Sequence, residues 1–96
     1  MEFRQLEVFA AVAEQKSFSK AAEQLYLTQS TASSHVKNLE KELGKQLIFR
    51  TTKHLQLTEE GQRLLPYVKR ILETRDAAHV EQIRQQLTAM GYHLDE

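Results

Sequence analysis

Six side chains that form hydrogen bonds crowd into seven consecutive positions of this 96-residue sequence, within the stretch LTQSTASSHVKNLEKEL at residues 27–43. They carry hydroxyl or amide groups, and they are Thr28, Gln29, Ser30, Thr31, Ser33 and Ser34. A helix that begins here needs one of them as its N-cap, because one oxygen can accept a free backbone N–H group of the first turn. Each of the others costs on the order of a few tenths of a kcal/mol in helix propensity. The surplus indicates hydrogen bonds to another molecule, although a capped and solvated helix face would also contain such residues.

The predicted helix has one polar face, which is uncharged where it begins and cationic where it continues. At about 100° per residue this face contains Ser30, Ser34, Lys37 and Lys41, with Asn38 beside it and Gln29 at the exposed end. The opposite, apolar stripe consists of Ala32, Val36, Leu39 and Leu43. Small hydroxyl and amide groups reach base edges without steric bulk, and glutamine can form two hydrogen bonds with adenine. Free N–H groups at a helix head also attract phosphate, so the face favours insertion into a nucleic-acid groove.

Two helices precede this one and must position it. The first is predicted to end near Gln15, and its apolar residues at helical spacing are Leu6, Phe9, Ala10 and Ala13. Ser17 is placed to cap a short second helix, whose inner face is Phe18, Ala21, Ala22 and Leu25. Thr28 then caps the third helix, and Gly44 ends it where a left-handed residue is favoured. A short helix joined to a second by a few residues matches the helix-turn-helix.

The residues after Gly44 change from helical to strand spacing. The segment QLIFRTTKHLQLT, residues 46–58, is rich in strand-forming residues around a polar centre. It predicts a hairpin with strands at Leu47–Arg50 and Leu55–Leu57 and with TTKH as its tip. Arg50 and Lys53 would make this hairpin a second basic element beside the helix, although a solvated turn is the alternative.

A long fourth helix is predicted to follow Thr58, which is placed to cap it. Pro66 removes one backbone donor and is expected to kink this helix. The apolar stripe consists of Leu64, Leu65, Val68, Ile71 and Leu72. A second copy of the chain is the simplest partner for such a stripe, and packing against its own domain is the alternative. Weaker helical spacing continues until Gly91 breaks it.

The formal net charge of zero hides an uneven distribution. Between Lys16 and Lys53, seven cations stand against three carboxylates, so the remainder of the chain is acidic. One basic zone suggests an oriented encounter with an anionic partner. Scattered surface charge without such a role is the alternative.

The stretch from Ser17 to Gly61 resembles the winged helix-turn-helix of LysR-type transcriptional regulators, and the resemblance extends over roughly residues 1–75. The matching positions, in order, are Ser17, Ala21, Ala22, Leu25, Gln29, Ser33, Leu39, Glu40, Leu43, Gly44, Leu47, Arg50, Leu57, Thr58 and Gly61. The resemblance implies a mainly α fold with a three-helix core and a two-stranded wing, followed by a long linker helix that dimerises. Residues 1–58 would form the DNA-binding domain, and residues 59–90 the linker helix and tail.

The resemblance also implies roles for individual residues. The recognition helix would enter the major groove, and the implied base-reading positions are Gln29, Ser30, Ser33 and Ser34. The wing would lie on the flanking backbone or minor groove, and the implied contacts to phosphate or minor groove are Thr31, Lys37, Arg50, Thr52 and Lys53. We add Ser19, Thr28 and Asn38 to the DNA-binding set. Ser30 stands where the family commonly has proline, which leaves an extra amide and hydroxyl.

The expected partners are therefore double-stranded DNA with an interrupted palindrome and a second copy of the chain. The family normally continues into a domain that binds a small effector. We expect no such domain and no effector in these 96 residues.

Other classes of function have less support. Asp76 and His79 could share a helix face, but a surface ion pair is the simpler interpretation, so we expect no enzyme. The four histidines lack close helical pairing and cysteine is absent, so we expect no metal or other cofactor. No apolar run is long enough to span a membrane, and we expect a cytoplasmic protein. A winged helix that binds protein through its apolar linker helix remains the alternative.

Overall fold

The fold of this chain is given by a computed structural model that describes residues 1–50, 55–74 and 76–94. Three helices come first, and they are α1 (Phe3–Gln15), α2 (Phe18–Gln24) and α3 (Gln29–Leu43). They are followed by β1 (Ile48–Arg50), β2 (Leu55–Leu57), α4 (Glu59–Thr74) and α5 (Ala77–Ala89). The predicted winged helix-turn-helix, mainly α with a two-stranded wing, is confirmed.

The helix boundaries follow from caps that the sequence predicts. Ser17, Thr28 and Thr58 each accept a backbone N–H group of the following first turn through a side-chain oxygen, at 3.0–3.1 Å. Gly44 ends α3 with a φ of 70°, a conformation that glycine adopts without steric penalty. These caps fix where each helix begins or ends and therefore which of its residues face solvent.

The wing is attached directly to α3. Its two strands pair antiparallel, with Ile48 opposite Leu57. Glu40 of α3 accepts the backbone N–H groups of Leu47 at 2.8 Å and Ile48 at 3.1 Å through one carboxylate oxygen. Because a charged acceptor strengthens both hydrogen bonds, the start of the wing is held in a fixed position against α3.

The fourth helix shares one apolar core with the first three. Three residues of its predicted stripe are at most 1% exposed, and they are Leu64, Val68 and Ile71. The helical spacing after residue 76 forms α5, which packs against α4 and contributes Ile83 and Leu87 to the core. Most of the stripe therefore packs within the chain itself, and only Leu65 and Leu72 are half-buried.

The residues after α5 attach it to the rest of the domain. Tyr92 is 4% exposed, and its Oη donates a hydrogen bond to the Glu60 carbonyl oxygen at 2.6 Å. The next backbone N–H, of His93, donates to the carbonyl oxygen of Leu43 at 2.9 Å. Burial, together with the nearby Glu60 charge, raises the pKa of the Tyr92 phenol above its usual value. Tyr92 and His93 are thus bonded to α4 and α3, respectively.

We expect Tyr92→Phe to lower the free energy of unfolding by about 1 kcal/mol at neutral pH, because a buried hydrogen bond is lost. Since the pKa of Tyr92 is raised in the folded state, its contribution to stability is complete below the unfolded value of 10.0 and is lost as the pH rises through the folded pKa. Urea unfolding of both proteins should therefore give a smaller difference at about pH 11 than at about pH 7. An equal difference at both values would contradict the raised pKa.

Candidate nucleic-acid interface

The polar residues at the head of α3 divide into a cap and a set of exposed groups. The hydroxyl of Thr28 accepts the Thr31 backbone N–H at 3.1 Å and donates to Thr31 Oγ1 at 2.8 Å. Ser30 Oγ lies 3.4 Å from the same Thr28 oxygen. Capping therefore accounts for Thr28 and orders Thr31, whereas Gln29 and Ser30 stay exposed at the end of the helix.

The polar face of α3 is exposed as predicted. Its exposed residues are Ser30, Ser34, Lys37, Asn38 and Lys41, whereas the opposite stripe of Ala32, Val36, Leu39 and Leu43 is fully buried. Within the part of the chain that the structure describes, neither Lys37 nor Lys41 forms an ion pair. Their charges are therefore available to an anionic partner. Ser33 is half-buried and lies in the cleft between α3 and the wing.

Two residues that the sequence assigns to DNA binding, one in α2 and one in α3, lie next to each other. Ser19 Oγ of α2 lies 3.5 Å from Gln29 Oε1, at the limit of hydrogen-bond distance. A bond donated by the Ser19 hydroxyl to the amide oxygen leaves both N–H groups of the Gln29 amide free to donate to a ligand. The two residues therefore act at one point of the surface, at the head of α3.

Arg50 has a structural role that the sequence did not predict. Its Nη1 lies 3.0 Å from Glu40 Oε1, and its guanidinium group lies over the Phe18 ring, 5.5 Å from the centroid. These contacts connect β1 to α2 and α3, and the Glu40 carboxylate offsets part of the positive charge. The side chain is still 30% exposed, so it braces the wing and keeps a surface for an anionic ligand.

A cleft of about 190 Å³ lies between the head of α3 and the wing. Its lining residues are Phe18, Gln29, Ser33, Phe49, Arg50 and Leu55. The cleft brings four elements to one side of the molecule and combines an apolar surface with polar groups. The predicted residues Thr52 and Lys53 belong to the wing tip, residues 51–54, and lie outside the described residues.

Two aromatic residues to which the sequence assigned no role are exposed, and one of them, Phe49, lines the cleft. Phe49 is 46% exposed in β1, and Tyr26 is 96% exposed between α2 and α3. Alternation along a strand indicates that one face of β1 is exposed, which gives a weak signal for Phe49. The sequence gives no signal that Tyr26 is exposed, because a tyrosine in a short connection between helices can equally pack over the core.

A groove of about 390 Å³ lies on another side of the molecule, between α1, α2 and α4. Its apolar residues are Ala10, Ala11, Leu25 and Leu72, and its charged residues are Glu7, Glu14, Lys69 and Glu73. Lys69 Nζ lies 3.4 Å from Glu14 Oε2 across it. Leu72 is therefore the residue of the predicted dimerisation stripe that reaches this groove, and Leu65 lies two helical turns away on the same face of α4.

The structure gives no support to a catalytic pair of Asp76 and His79. Asp76 is the N-cap of α5, and its carboxylate accepts the Ala78 backbone N–H at 3.2 Å. In the three described segments, no group of three metal-ligating side chains could hold an ion. No described helix is long and apolar enough to cross a membrane.

A short helix, a second helix with an exposed polar head and a two-stranded wing together define a winged helix-turn-helix. Residues 3–62 match the family model of the bacterial regulatory helix-turn-helix proteins of the lysR family. The chain belongs to this family, and the resemblance stated from the sequence is confirmed.

The curated relatives that the chain matches are named as helix-turn-helix transcriptional regulators. The transcriptional regulator CitR of Bacillus subtilis is 39% identical over 87 residues, which are 88% of this chain and 30% of CitR. The regulator CrgA of Neisseria meningitidis serogroup C is 47% identical over 79 residues, which are 82% of this chain and 26% of CrgA. The chain thus spans less than a third of the length of these relatives.

Solved structures of DNA complexes have a similar fold. The DNA-binding domain of BenM bound to catB site 1 DNA is 37% identical, has a TM-score of 0.75, and the match covers 90% of this chain and 97% of that one. The DNA-binding domain of CbnR bound to DNA is 36% identical, has a TM-score of 0.74, and the match covers 93% of this chain and 99% of that one.

Proposed function

We propose that this chain binds double-stranded DNA in a sequence-specific manner as a homodimer and thereby regulates transcription. The observation that carries the proposal is the exposed head of α3, where surplus polar groups lie beside cations that lack a partner in the described chain. The BenM and CbnR domains, solved with DNA, have the same fold at more than a third sequence identity. In this proposal α3 enters the major groove, and the wing lies on the flanking backbone or minor groove.

The proposed contacts divide by chemistry. Base edges are read by the small polar groups of the helix head, which are Gln29, Ser30, Ser33 and Ser34. Phosphate or minor-groove contacts are assigned to Thr31, Lys37, Arg50, Thr52 and Lys53. Ser19, Thr28 and Asn38 complete the set, with Ser19 and Thr28 acting through the orientation of Gln29 and Thr31 as much as through DNA.

The test is fluorescence anisotropy of a labelled duplex titrated with the purified chain at several salt concentrations. The logarithm of the binding constant should fall linearly with the logarithm of salt concentration, with a slope of about 0.9 per phosphate contact. An affinity that did not change with salt concentration would contradict the proposal. An equal affinity of the chain for a protein ligand and for the duplex would also contradict it.

The homodimer is proposed to form through the side of α4 that the chain's own core leaves accessible. Leu65 and Leu72 are half-buried there, and the adjacent groove offers apolar residues between charges of both signs. Two such surfaces related by two-fold symmetry would place two recognition helices on two half-sites, which requires an interrupted palindrome. A protein-interaction module that uses α4 without DNA has less support, because it leaves the exposed polar and cationic face of α3 without a role.

We expect Leu65→Glu to convert the dimer to a monomer, because a carboxylate at the interface would lose its hydration without gaining a partner. Gln62→Glu adds the same charge at an exposed position of α4 and is the matched control. Sedimentation equilibrium should give half the dimer mass for the first variant and the full mass for the second. A folded Leu65→Glu protein with unchanged mass would contradict this interface. Val68→Glu is not a clean test, because Val68 is fully buried within one chain.

A further inference from the structure

Tyr26 combines two features that are each unfavourable. Its φ of 59° is in the left-handed region. Among the described residues other than glycine, Lys16 is the other one with a positive φ. That conformation costs a residue with a side chain on the order of 1 kcal/mol or more. The residue is 96% exposed, so its aromatic side chain gains almost nothing from burial. Asparagine or glycine would adopt this backbone conformation at lower cost.

The surrounding backbone fixes the position of Tyr26. Its own N–H donates to the Glu23 carbonyl oxygen at 3.3 Å, and the N–H of Leu27 donates to the Ala22 carbonyl oxygen at 2.8 Å. Arg4 of α1 donates through Nη2 to the Leu25 carbonyl oxygen at 2.9 Å. The turn is therefore held on both sides of Tyr26, and the ring projects into solvent from an ordered backbone.

This turn lies at the head of α3. Tyr26 is two residues before the cap Thr28 and three before Gln29. A chain extends at most about 3.6 Å per residue, so the Tyr26 backbone lies within about 7 Å of the cap. The major groove is about 12 Å wide, so a helix head at its centre has a phosphate backbone on either side at a comparable distance.

We propose that Tyr26 donates its phenolic hydroxyl to a DNA phosphate at the edge of the groove that α3 enters. The inference rests on the proposed function, and it adds a contact that orients the helix head without reading a base. Tyrosine hydroxyl groups are among the donors that proteins use for phosphate contacts. Because this contact is a hydrogen bond from a hydroxyl group and not an ion pair from a lysine or arginine, it adds affinity without adding a released counterion.

The test compares wild type, Tyr26→Phe and Tyr26→Asn on one duplex that wild type prefers and on one unrelated duplex. We expect Tyr26→Phe to weaken binding about tenfold on both, because one hydrogen bond to a charged oxygen is lost, with an unchanged salt slope. Tyr26→Asn should weaken binding at least as much, while its melting temperature stays the same or rises because asparagine tolerates the left-handed region. Loss of stability together with loss of binding in Tyr26→Asn would indicate a structural role and overturn the inference.

A second measurement locates the contact. Duplexes with a neutral methylphosphonate at one position each are titrated with wild type and Tyr26→Phe. At one position flanking the groove, the two proteins should bind equally, because the phosphate that Tyr26 contacts has lost its charged acceptor. Full wild-type affinity of Tyr26→Phe on the unmodified duplex would overturn the inference and leave the proposed function intact. Failure of the wild-type chain to prefer any duplex would overturn the proposed function itself.

Discussion

Gly61→Ala is expected to lower the free energy of unfolding by about 3 kcal/mol, which is a large fraction of the total stability of a small domain. A Cβ at position 61 would overlap the carbonyl oxygen of Leu47, where the first turn of α4 meets the start of the wing. The same oxygen accepts the Thr58 backbone N–H at 2.9 Å. Since the obstructing atom is backbone, it cannot rotate away, and α4 must shift from β1.

The neighbouring residue supplies a control for this prediction. Gln62 is exposed on the same turn of α4, and Gln62→Ala should change the unfolding free energy by less than about 0.5 kcal/mol. Urea unfolding followed by circular dichroism measures both variants. A Gly61→Ala protein as stable as Gln62→Ala would show that the contact between α4 and the wing is looser than described.

Gln29→Ala and Lys37→Ala are expected to weaken DNA binding in different ways. Gln29→Ala should cost about 1–3 kcal/mol on the preferred site and relax the preference at one base pair, because the amide is proposed to read a base edge. Lys37→Ala should weaken binding to all sequences alike and reduce the salt slope by about one, because it removes one proposed phosphate contact. Anisotropy titrations on the preferred site and on single-base variants distinguish the two.

The two variants are controls for each other, since both residues are exposed on α3 and their removal should leave the fold unchanged. If both variants weakened every sequence equally, the assignment of base reading to the helix head would be wrong. Ser19→Ala extends the comparison, because it should reduce the same base preference as Gln29→Ala if Ser19 orients the Gln29 amide.

The parts of the fold that the sequence predicts are those controlled by local interactions. A cap uses a side chain within three residues of the N–H group that it accepts, so Ser17, Thr28 and Thr58 could be assigned from the order of residue types alone. The strand Leu55–Leu57 has the predicted bounds, and β1 begins one residue later than predicted. The exposed face of α3 follows from helical periodicity and has the predicted members.

The parts that the sequence does not predict depend on contacts between distant segments. The apolar stripe of α4 predicts burial but not the partner, and α5 and the core of the same chain cover Leu64, Val68 and Ile71. Arg50 was assigned to DNA from the family resemblance and its charge. Its contact with Glu40 was not predicted, because it joins residues ten positions apart. The exposure of Tyr26 depends on how the turn between α2 and α3 packs, which periodicity does not describe.

The position of α5 limits the sides of α4 that a second copy of the chain could contact. Because α5 packs against α4, the homodimer is proposed to use the side of α4 that carries Leu65 and Leu72. The proposed dimer interface and the intramolecular core would then lie on adjacent sides of one helix, so single substitutions on α4 should affect either one separately.

The central claim, a dimeric reader of DNA sequence, is tested most directly by selecting bound duplexes from a randomised library with the purified 96-residue chain. A dimeric reader should enrich an interrupted palindrome whose half-sites are about one helical turn, or a multiple of it, apart. A single asymmetric site would contradict the dimer, and bound duplexes without any enriched sequence would contradict base reading by α3.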